Sequence, residues 1–475
     1  MMYRQSDKLI VSRKLSNVSG EKGAYIIKVF LEKHYLCTGI GEIMETKLRR
    51  IASIIRRNPK TKFTSLYHLI NKELLIKCHK ELDGKKATGV DRVTKEMYQA
   101  NLEENIDDLV KRLKNKGYKP TPSLRVYIPK GNGKLRPLGI SIYEDKIVQL
   151  ALKKVLEPIF EAKFKDNMYG FRPNTGCHNA IKFVQNTIFK GKISYIVDAD
   201  IKGFFDHVNH DWLLEMLKLN ISDTNILNLI NKYLKAGILD KGEYFETDEG
   251  TAQGNIISPL LANIYMHYVL VQWYNVVVKP NSKGETFLVV YADDFITGFQ
   301  YEWEAKAYYE ALKLRMAKFG LSLEESKSRL IEFGRFARQN RAKKGLGKPE
   351  TFNFLGFTFY CGKTRDGRFS VQLKTNSKKF RQKLKDLKIW LYDNRTMRLK
   401  ELIKMLNKKL VGHYQYYGVS SNSKMTANYL HRAKQLLFKV LNRRSSRKSY
   451  LWDTFLEMLK TYPLAKPKVY FSLYS

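Results

Sequence analysis

The chain has 475 residues, with 85 Lys and Arg against 46 Asp and Glu, a formal net charge of +39 that continues along most of its length. An excess of that size attracts polyanions by displacing their condensed counterions, so nucleic acid leads over an anionic membrane surface or a ribosomal role. Hydrophobic residues at 44% and aromatics at 12% argue against wholesale disorder, and four scattered cysteines (Cys37, Cys78, Cys177, Cys361) without a CxxC pair indicate neither a disulfide framework nor a zinc ribbon.

Residues 1–60 read as a basic N-terminal extension, with a second possible start at Met44 and a helical pattern over residues 46–57. Apolar residues recur at helical spacing over 63–82, Gly89-Val90-Asp91 breaks the pattern, and a further helix is predicted over 95–114. Two short strands, 125–129 and 136–140, flank the glycine turn Lys130-Gly131-Asn132-Gly133-Lys134. A helix over 143–164, a strand over 195–200, helices after His210 and from Ser258 to about Tyr274, and a hairpin around Tyr291 give an α+β alternation. The apolar run 265–278 is interrupted by His267, Gln272 and Asn275, and the N-terminus lacks a signal core. No membrane association is expected, and the predicted location is cytoplasmic.

Near Thr375 the pattern becomes helical. Phe380, Leu384, Leu387 and Leu391 form one stripe, Leu399, Ile403, Leu406 and Leu410 a second, and Leu430, Ala433, Leu437 and Leu441 a third. Three amphipathic helices predict a small bundle appended to the α+β body.

The chemistry concentrates at Tyr291-Ala292-Asp293-Asp294, where adjacent carboxylates sit between the apolar runs 287–290 and 295–297. Like charges on a hairpin turn between buried strands call for a cation, and a divalent metal is the natural one. Upstream, strand 195–200 ends in alternating acids, Asp198 and Asp200, before Gly203-Phe204-Phe205. Asp200 is the better placed to meet the hairpin acids across an antiparallel sheet. The two strands would then hold two Mg²⁺ ions about 3.5–4 Å apart. Between them, Gly250 and Gly254 flank Gln253 in a loop suited to close approach of a nucleotide, and Ser258-Pro259 opens a helix. His207 and His210 have a His-x-x-His spacing but no third ligand cluster, and are assigned to capping and packing rather than to zinc. Tyr414, Tyr416 and Tyr417 are assigned to helix packing.

In order and spacing these motifs resemble the reverse transcriptases encoded by group II introns, over about residues 60 to 440. The series runs from Arg136-Pro137-Leu138-Gly139-Ile140 through Tyr169-Gly170-Phe171-Arg172-Pro173, Gly176-Cys177-His178, the Asp200 strand, Gln253-Gly254 and the Tyr291 hairpin. It continues with Gly320-Leu321-Ser322-Leu323, Lys327, Phe354-Leu355-Gly356-Phe357 and Gly412-His413-Tyr414-Gln415-Tyr416-Tyr417-Gly418.

The resemblance implies a right-hand polymerase fold. Residues 61–374 would be fingers and palm, 375–445 an α-helical thumb (maturase X) domain, and 446–475 a short C-terminal tail without an endonuclease domain. It implies an RNA-directed DNA polymerase with Asp200, Asp293 and Asp294 as catalytic metal ligands, joined by the backbone of Ile201, on two Mg²⁺ ions that Mn²⁺ can replace. Lys327 would serve catalysis near the leaving pyrophosphate. Lys130 and Arg136 would contact the triphosphate, Gln253 and Gly254 the nucleotide, and Leu355, Gly356 and Phe357 would grip the primer. Either Phe204 or Phe205 would exclude the ribose 2′-hydroxyl.

The implied partners are an RNA template, a DNA or RNA primer, dNTPs and group II intron RNA, with splicing maturase action and retrohoming in a bacterial-type, nucleoid-associated setting. The competing readings are a maturase without polymerase activity and a domesticated enzyme of defence or repair. Ala252 and Asn255 depart from the family's usual proline and glycine, which places nucleotide handling rather than catalysis in question.

Overall fold

The computed structural model describes residues 39–129, 135–364, 366–444 and 449–473, with backbone alone for residues 39–45. Among these residues the strands are β1 (Ser123–Pro129), β2 (Leu135–Ile140), β3 (Tyr195–Asp200), β4 (Ile238–Asp240), β5 (Glu243–Phe245) and β6 (Thr286–Tyr291). They continue with β7 (Asp294–Phe299), β8 (Arg329–Glu332), β9 (Phe352–Phe354), β10 (Phe357–Lys363) and β11 (Phe369–Thr375). Three sheets result, ordered β2-β1-β4-β5, β6-β7-β3-β8 and β11-β10-β9. The architecture is α+β, and a helical unit follows β11.

The sheet β6-β7-β3-β8 is covered on both faces, which is why its strands read as nearly continuous apolar runs. Val197, Ala199, Phe295 and Phe299 alternate onto one face and join the large core with Tyr308 and Leu312 of helix Glu302–Lys318. Ile196, Ile296, Phe287 and Val289 alternate onto the other and meet helix Cys177–Lys190 and the β9–β11 sheet in a phenylalanine-rich cluster. Phe352 and Phe359 stack within that cluster at 4.7 Å.

The structure moves several expected boundaries. The folded body starts before residue 60: helix Gly39–Arg57 buries Ile51 and Ile55 in the large core. Residues 1–38, most of the expected extension, lie outside the described residues. Over 63–82 only Lys72–Glu81 is a long helix, because Phe63 bridges to Ile221 and the Asp223 carboxylate accepts from Leu66 N (2.6 Å) and Tyr67 N (2.8 Å), drawing the chain aside. The 95–114 helix divides at Asn101 into Lys95–Ala100 and Leu102–Lys114. No described helix is long and apolar enough to cross a membrane.

Helices Ser377–Asp393, Leu399–Tyr417 and Ser423–Leu441 carry the three expected stripes, with Leu387, Leu391, Leu406, Leu410, Ala433 and Leu437 buried together. The residues after 445 are not a tail. Helix Trp452–Thr461 adds Phe455 and Leu459 to the bundle core, and the chain then returns toward the sheets. Tyr470 N donates to Gly418 O (2.7 Å), Phe471 stacks on His178 at 5.2 Å, and Leu473 is fully buried in the phenylalanine-rich cluster. A local hydrophobic pattern in so short a segment did not announce this return path.

Phe359→Ala should cost about 3–5 kcal/mol of stability, the usual cost of a large cavity among packed rings. A chemical-denaturation midpoint within error of wild type would contradict this packing.

Candidate active site

The register of the central sheet sets the acids. Asp200 pairs directly with Asp294 across β3 and β7, and Asp198 pairs with Arg329 across β3 and β8. Alternation puts Asp198, Asp200 and Asp294 on one face, at the end where the apolar rows run out. Tyr291 pairs with Asp294, so Ala292-Asp293 is a two-residue turn. Ala292 is buried and holds a φ of 58°, a conformation costly for a residue with a Cβ.

The surroundings hold that turn in place. Tyr169 N donates to Val290 O (2.8 Å), and Val290 N donates to Asn167 O (2.9 Å). Asn263 Nδ2 donates to Gly170 O (2.8 Å). A Cβ on Gly170 would lie 2.3 Å from Ala292 N, so only glycine allows this approach. Arg172 anchors the same segment through Glu161 (3.0 Å) and the carbonyls of Lys165 and Met168 (both 2.8 Å). The Tyr169-Gly170-Phe171-Arg172 motif is thus the support of the acid turn, a role that its local sequence does not disclose.

The site concentrates negative charge. Burial first, then Asp293, Asp200 and Asp198, push the Asp294 carboxyl up to about 7, with Lys379 acting in the opposite sense. The side chain keeps an exposed face, but the protein mass around the turn and three neighbouring acids leave its charge poorly compensated. Burial raises Asp198 to about 6 despite Arg329 at 3.9 Å. Lys327 Nζ donates to Asp200 Oδ2, and this bond raises the pKa of the ammonium. Glu324 N donates to Asp200 O (2.8 Å), Lys202 N to Ser322 O (2.9 Å), and Ile201 bridges to Leu323, so the 320–328 segment delivers Lys327 to the end of β3.

Ile201 buries its side chain, leaving only its carbonyl as a donor to a cation. Among the described residues no three His, Cys, Asp or Glu side chains close into a preformed metal cage. The facing carboxylates of Asp200 and Asp294, with Asp293 on the turn, are a sparse oxygen set whose excess charge fits a hard divalent cation that completes its shell with water and phosphate.

The Gln253 loop docks on β2. Gly139 N donates to Gln253 O (2.6 Å), and a Cβ on Gly254 (φ 115°) would lie 2.5 Å from Gly139 O. Thr251 N donates to Phe205 O (2.7 Å) and Gly250 N to Val208 O (2.8 Å), tying the loop to the segment after β3. The open pocket beside it, about 550 Å³, is lined by Arg125, Gly139, Phe205, Asp206, Thr251 and Gln253. Phe205 lines it, whereas Phe204 turns into the large core at 2% exposure. Arg125 was not anticipated; its only sequence signal is a charge at an inward position of β1. Arg136 is exposed and paired with Ile128, and Lys130 lies outside the described residues.

Asn255 accepts from Ser141 (2.7 Å) and Ser123 (3.3 Å), and Ala252 packs against Gly139, so both departures from the family pattern fit their surroundings. His207 pairs with Glu249 (2.9 Å) and His210 Nε2 with Gly250 O (2.7 Å), as befits loop anchors rather than zinc ligands.

A second cleft, of about 740 Å³, opens between Tyr291, Asp294, Leu355 and Gly356 and the lysine-bearing helices Ser377–Asp393 and Leu399–Tyr417. Leu355 (φ 47°) and Gly356 (φ 78°) form the tight turn of the β9–β10 hairpin, closed by Tyr416 Oη donating to Leu355 O (3.0 Å). Leu355 and Gly356 face the cleft; Phe357 is fully buried and belongs to the core. Of the three tyrosines assigned to helix packing, Tyr414 is buried in the bundle core, whereas Tyr417 is buried in the phenylalanine-rich cluster and Tyr416 packs against it, both on Phe357.

Residues 128–359 match the reverse transcriptase (RNA-dependent DNA polymerase) family, and residues 377–456 match the group II intron, maturase-specific domain. The first match spans the acids and the Gln253 loop, which makes the α+β body a reverse transcriptase domain. The group II intron-encoded protein LtrA of Lactococcus lactis subsp. cremoris is 38% identical over 222 residues, 46% of this chain and 37% of LtrA. Protein YkfC of Escherichia coli is 37% identical over 232 residues, 47% of this chain and 61% of YkfC. The nuclear intron maturase 1, mitochondrial, of Arabidopsis thaliana is 33% identical over 94 residues, 20% of this chain and 13% of that protein. The chain thus covers less than two thirds of the length of these relatives. With both domains in this order, it belongs to the group II intron-encoded reverse transcriptase/maturase family.

A carboxyl whose folded pKa lies above its ordinary value takes up protons more readily in the folded state, so its share of stability falls as pH rises from about 4 to about 7. In metal-free buffer Asp294→Asn should therefore raise the melting temperature at pH 8, and the gain should vanish near pH 4. A gain that is largest in acid would contradict the crowding of the acids.

Proposed function

We propose that this protein is an RNA-directed DNA polymerase that extends a primer with dNTPs, and that it also binds its group II intron RNA as a splicing maturase and supports retrohoming. The observation that carries the reading is the facing pair Asp200 and Asp294, held by a clamped turn at the edge of the lysine-bearing cleft, while the segment that follows β3 carries Phe205 and Asp206 into the pocket of the Gln253 loop. On this reading residues 61–374 are fingers and palm, and the helices after Thr375 are a thumb.

Asp200, Asp293 and Asp294, with the Ile201 carbonyl, would hold two Mg²⁺ ions, or Mn²⁺ in their place, which when bound supply the Lewis acidity that activates a primer hydroxyl and steadies pyrophosphate. Lys327, its ammonium stabilised beside Asp200, is a proton donor for the leaving oxygen. Lys130 and Arg136 hold the triphosphate from the hairpin, where a guanidinium suits phosphate geometry. Gln253 and Gly254 orient the nucleotide. Phe205, the ring that lines the cavity, excludes the ribose 2′-hydroxyl, while Phe204 supports it from the core. Leu355 and Gly356 seat the primer terminus in the second cleft. The basic surface binds template and intron RNA through phosphate contacts.

Asp293→Ala should abolish primer extension on an RNA template while leaving intron RNA binding largely intact; extension at the wild-type rate would refute the polymerase assignment. Phe205→Ala should raise incorporation of ribonucleotides relative to deoxynucleotides at least tenfold, and Phe204→Ala should chiefly lower the melting temperature. The reverse pattern would exchange the two rings.

A further inference from the structure

The second cleft contains a polar group that the proposed chemistry leaves unused. His413, on helix Leu399–Tyr417, is 7% exposed and lines the cleft, yet among the described residues neither of its ring nitrogens has a hydrogen-bond partner. Buried polar atoms without partners are uncommon because each forfeits its hydration. The ring is not loose: Tyr429 stacks on it at 3.6 Å and 8°, and Tyr417 flanks it at 4.7 Å. This packing fixes the ring plane through its faces and leaves both nitrogens without a partner, each shielded from water in the free protein, so that a strand reaches them only as the side chains over the ring give way.

Lys379, Lys383 and Lys409 line the same cleft, opposite Asp294. Burial, with Lys383 nearby, lowers the His413 pKa to about 4, so at neutral pH the imidazole is uncharged and offers one N–H donor and one acceptor. A neutral donor beneath a lysine rim suits a sugar–phosphate backbone, in which phosphates pair with the ammonium groups and a neighbouring oxygen reaches the imidazole.

We propose that His413 is a strand-binding residue, whose ring edge hydrogen-bonds a backbone oxygen of the nucleic-acid strand seated between the Asp294 turn and the lysine face. The inference rests on the template-copying reading for the identity of that strand, but its test is separate. The partner oxygen belongs either to a phosphate or to a sugar.

The measurement is the affinity for a primer–template duplex by fluorescence anisotropy, without nucleotide. His413→Phe keeps an aromatic stack on Tyr429 but removes both nitrogens, and should bind about three- to tenfold more weakly, the loss of one hydrogen bond. His413→Gln, which returns an N–H, should recover part of the loss. One methylphosphonate or one added or removed 2′-hydroxyl along the strand should weaken the wild type and leave the Phe variant unchanged, and the arm in which this occurs identifies the oxygen. Wild-type affinity in the Phe variant, or equal sensitivity of both proteins at every position, would overturn the inference. If the Phe variant does not melt cooperatively, His413→Leu takes its place in the same comparison. Primer extension by the wild type is scored separately. A wild type that shows the coupling but does not extend primers would retain the inference and refute the reading, whereas extension without coupling would do the reverse.

Discussion

The direct opposition of Asp200 and Asp294 is the constraint around which the rest is arranged. Like charges facing each other across a strand pair are destabilising, and here Asp198 and Asp293 add to them. The site can exist only because the sheet is fixed by other means. It is buried on both faces, its turn is pinned by Tyr169, Gly170 and Asn263, and the positive φ of Ala292 is enforced by backbone contacts. Lys327 and Arg329 lie beside the acids and offset part of the charge. Stability is thus spent on keeping carboxylates where a cation and phosphate are wanted.

Much of the site was legible because its signals are local. An acid pair between apolar runs, a strand ending in alternating acids, and glycines around Gln253 each imply their own geometry. Three apolar stripes at helical spacing were enough for the bundle. What escaped depends on contacts between residues far apart in sequence. Nothing near Gly170 reveals that Ala292 lies against it, and Arg125 gains meaning only when β1 closes over the Gln253 loop. Phe204 and Phe205 were indistinguishable as neighbours. The left-handed Gly203 (φ 54°) and the single 3₁₀ turn Phe204–Asp206 send the first ring into the core and the second to the cavity. Helix Trp452–Thr461 was missed because it completes a core built by other helices.

The two cavities differ in character. The one beneath the Gln253 loop sets Arg125 against Asp206, Glu246, Asp248 and Glu249, whereas the one facing the helical unit sets Lys379, Lys383 and Lys409 against Asp294 and Asp386. The net charge of +39 is therefore not a uniform coat. Acidic groups are concentrated where geometry must be controlled, and lysines line the broad cleft. Long, flexible lysines suit contact with a repeating phosphate chain, while the rigid, hydrogen-bonded loop suits a ligand of fixed shape.

The return of the chain after helix Trp452–Thr461 has a further consequence. Asn407 holds Pro463 and Ala465, Gly418 holds Tyr470, and Phe471 and Leu473 finish in the phenylalanine-rich cluster beside the central sheet. The helical unit is therefore sewn to the α+β body beyond its link through β11, by Tyr416 on Leu355 and His178 and again by residues 470–473. It is not an exchangeable module hung on one linker. A chimera that takes these helices from a relative has to bring the closing stitch and the pocket that receives it, so the junction after Thr375 is a seam in sequence but not in three dimensions.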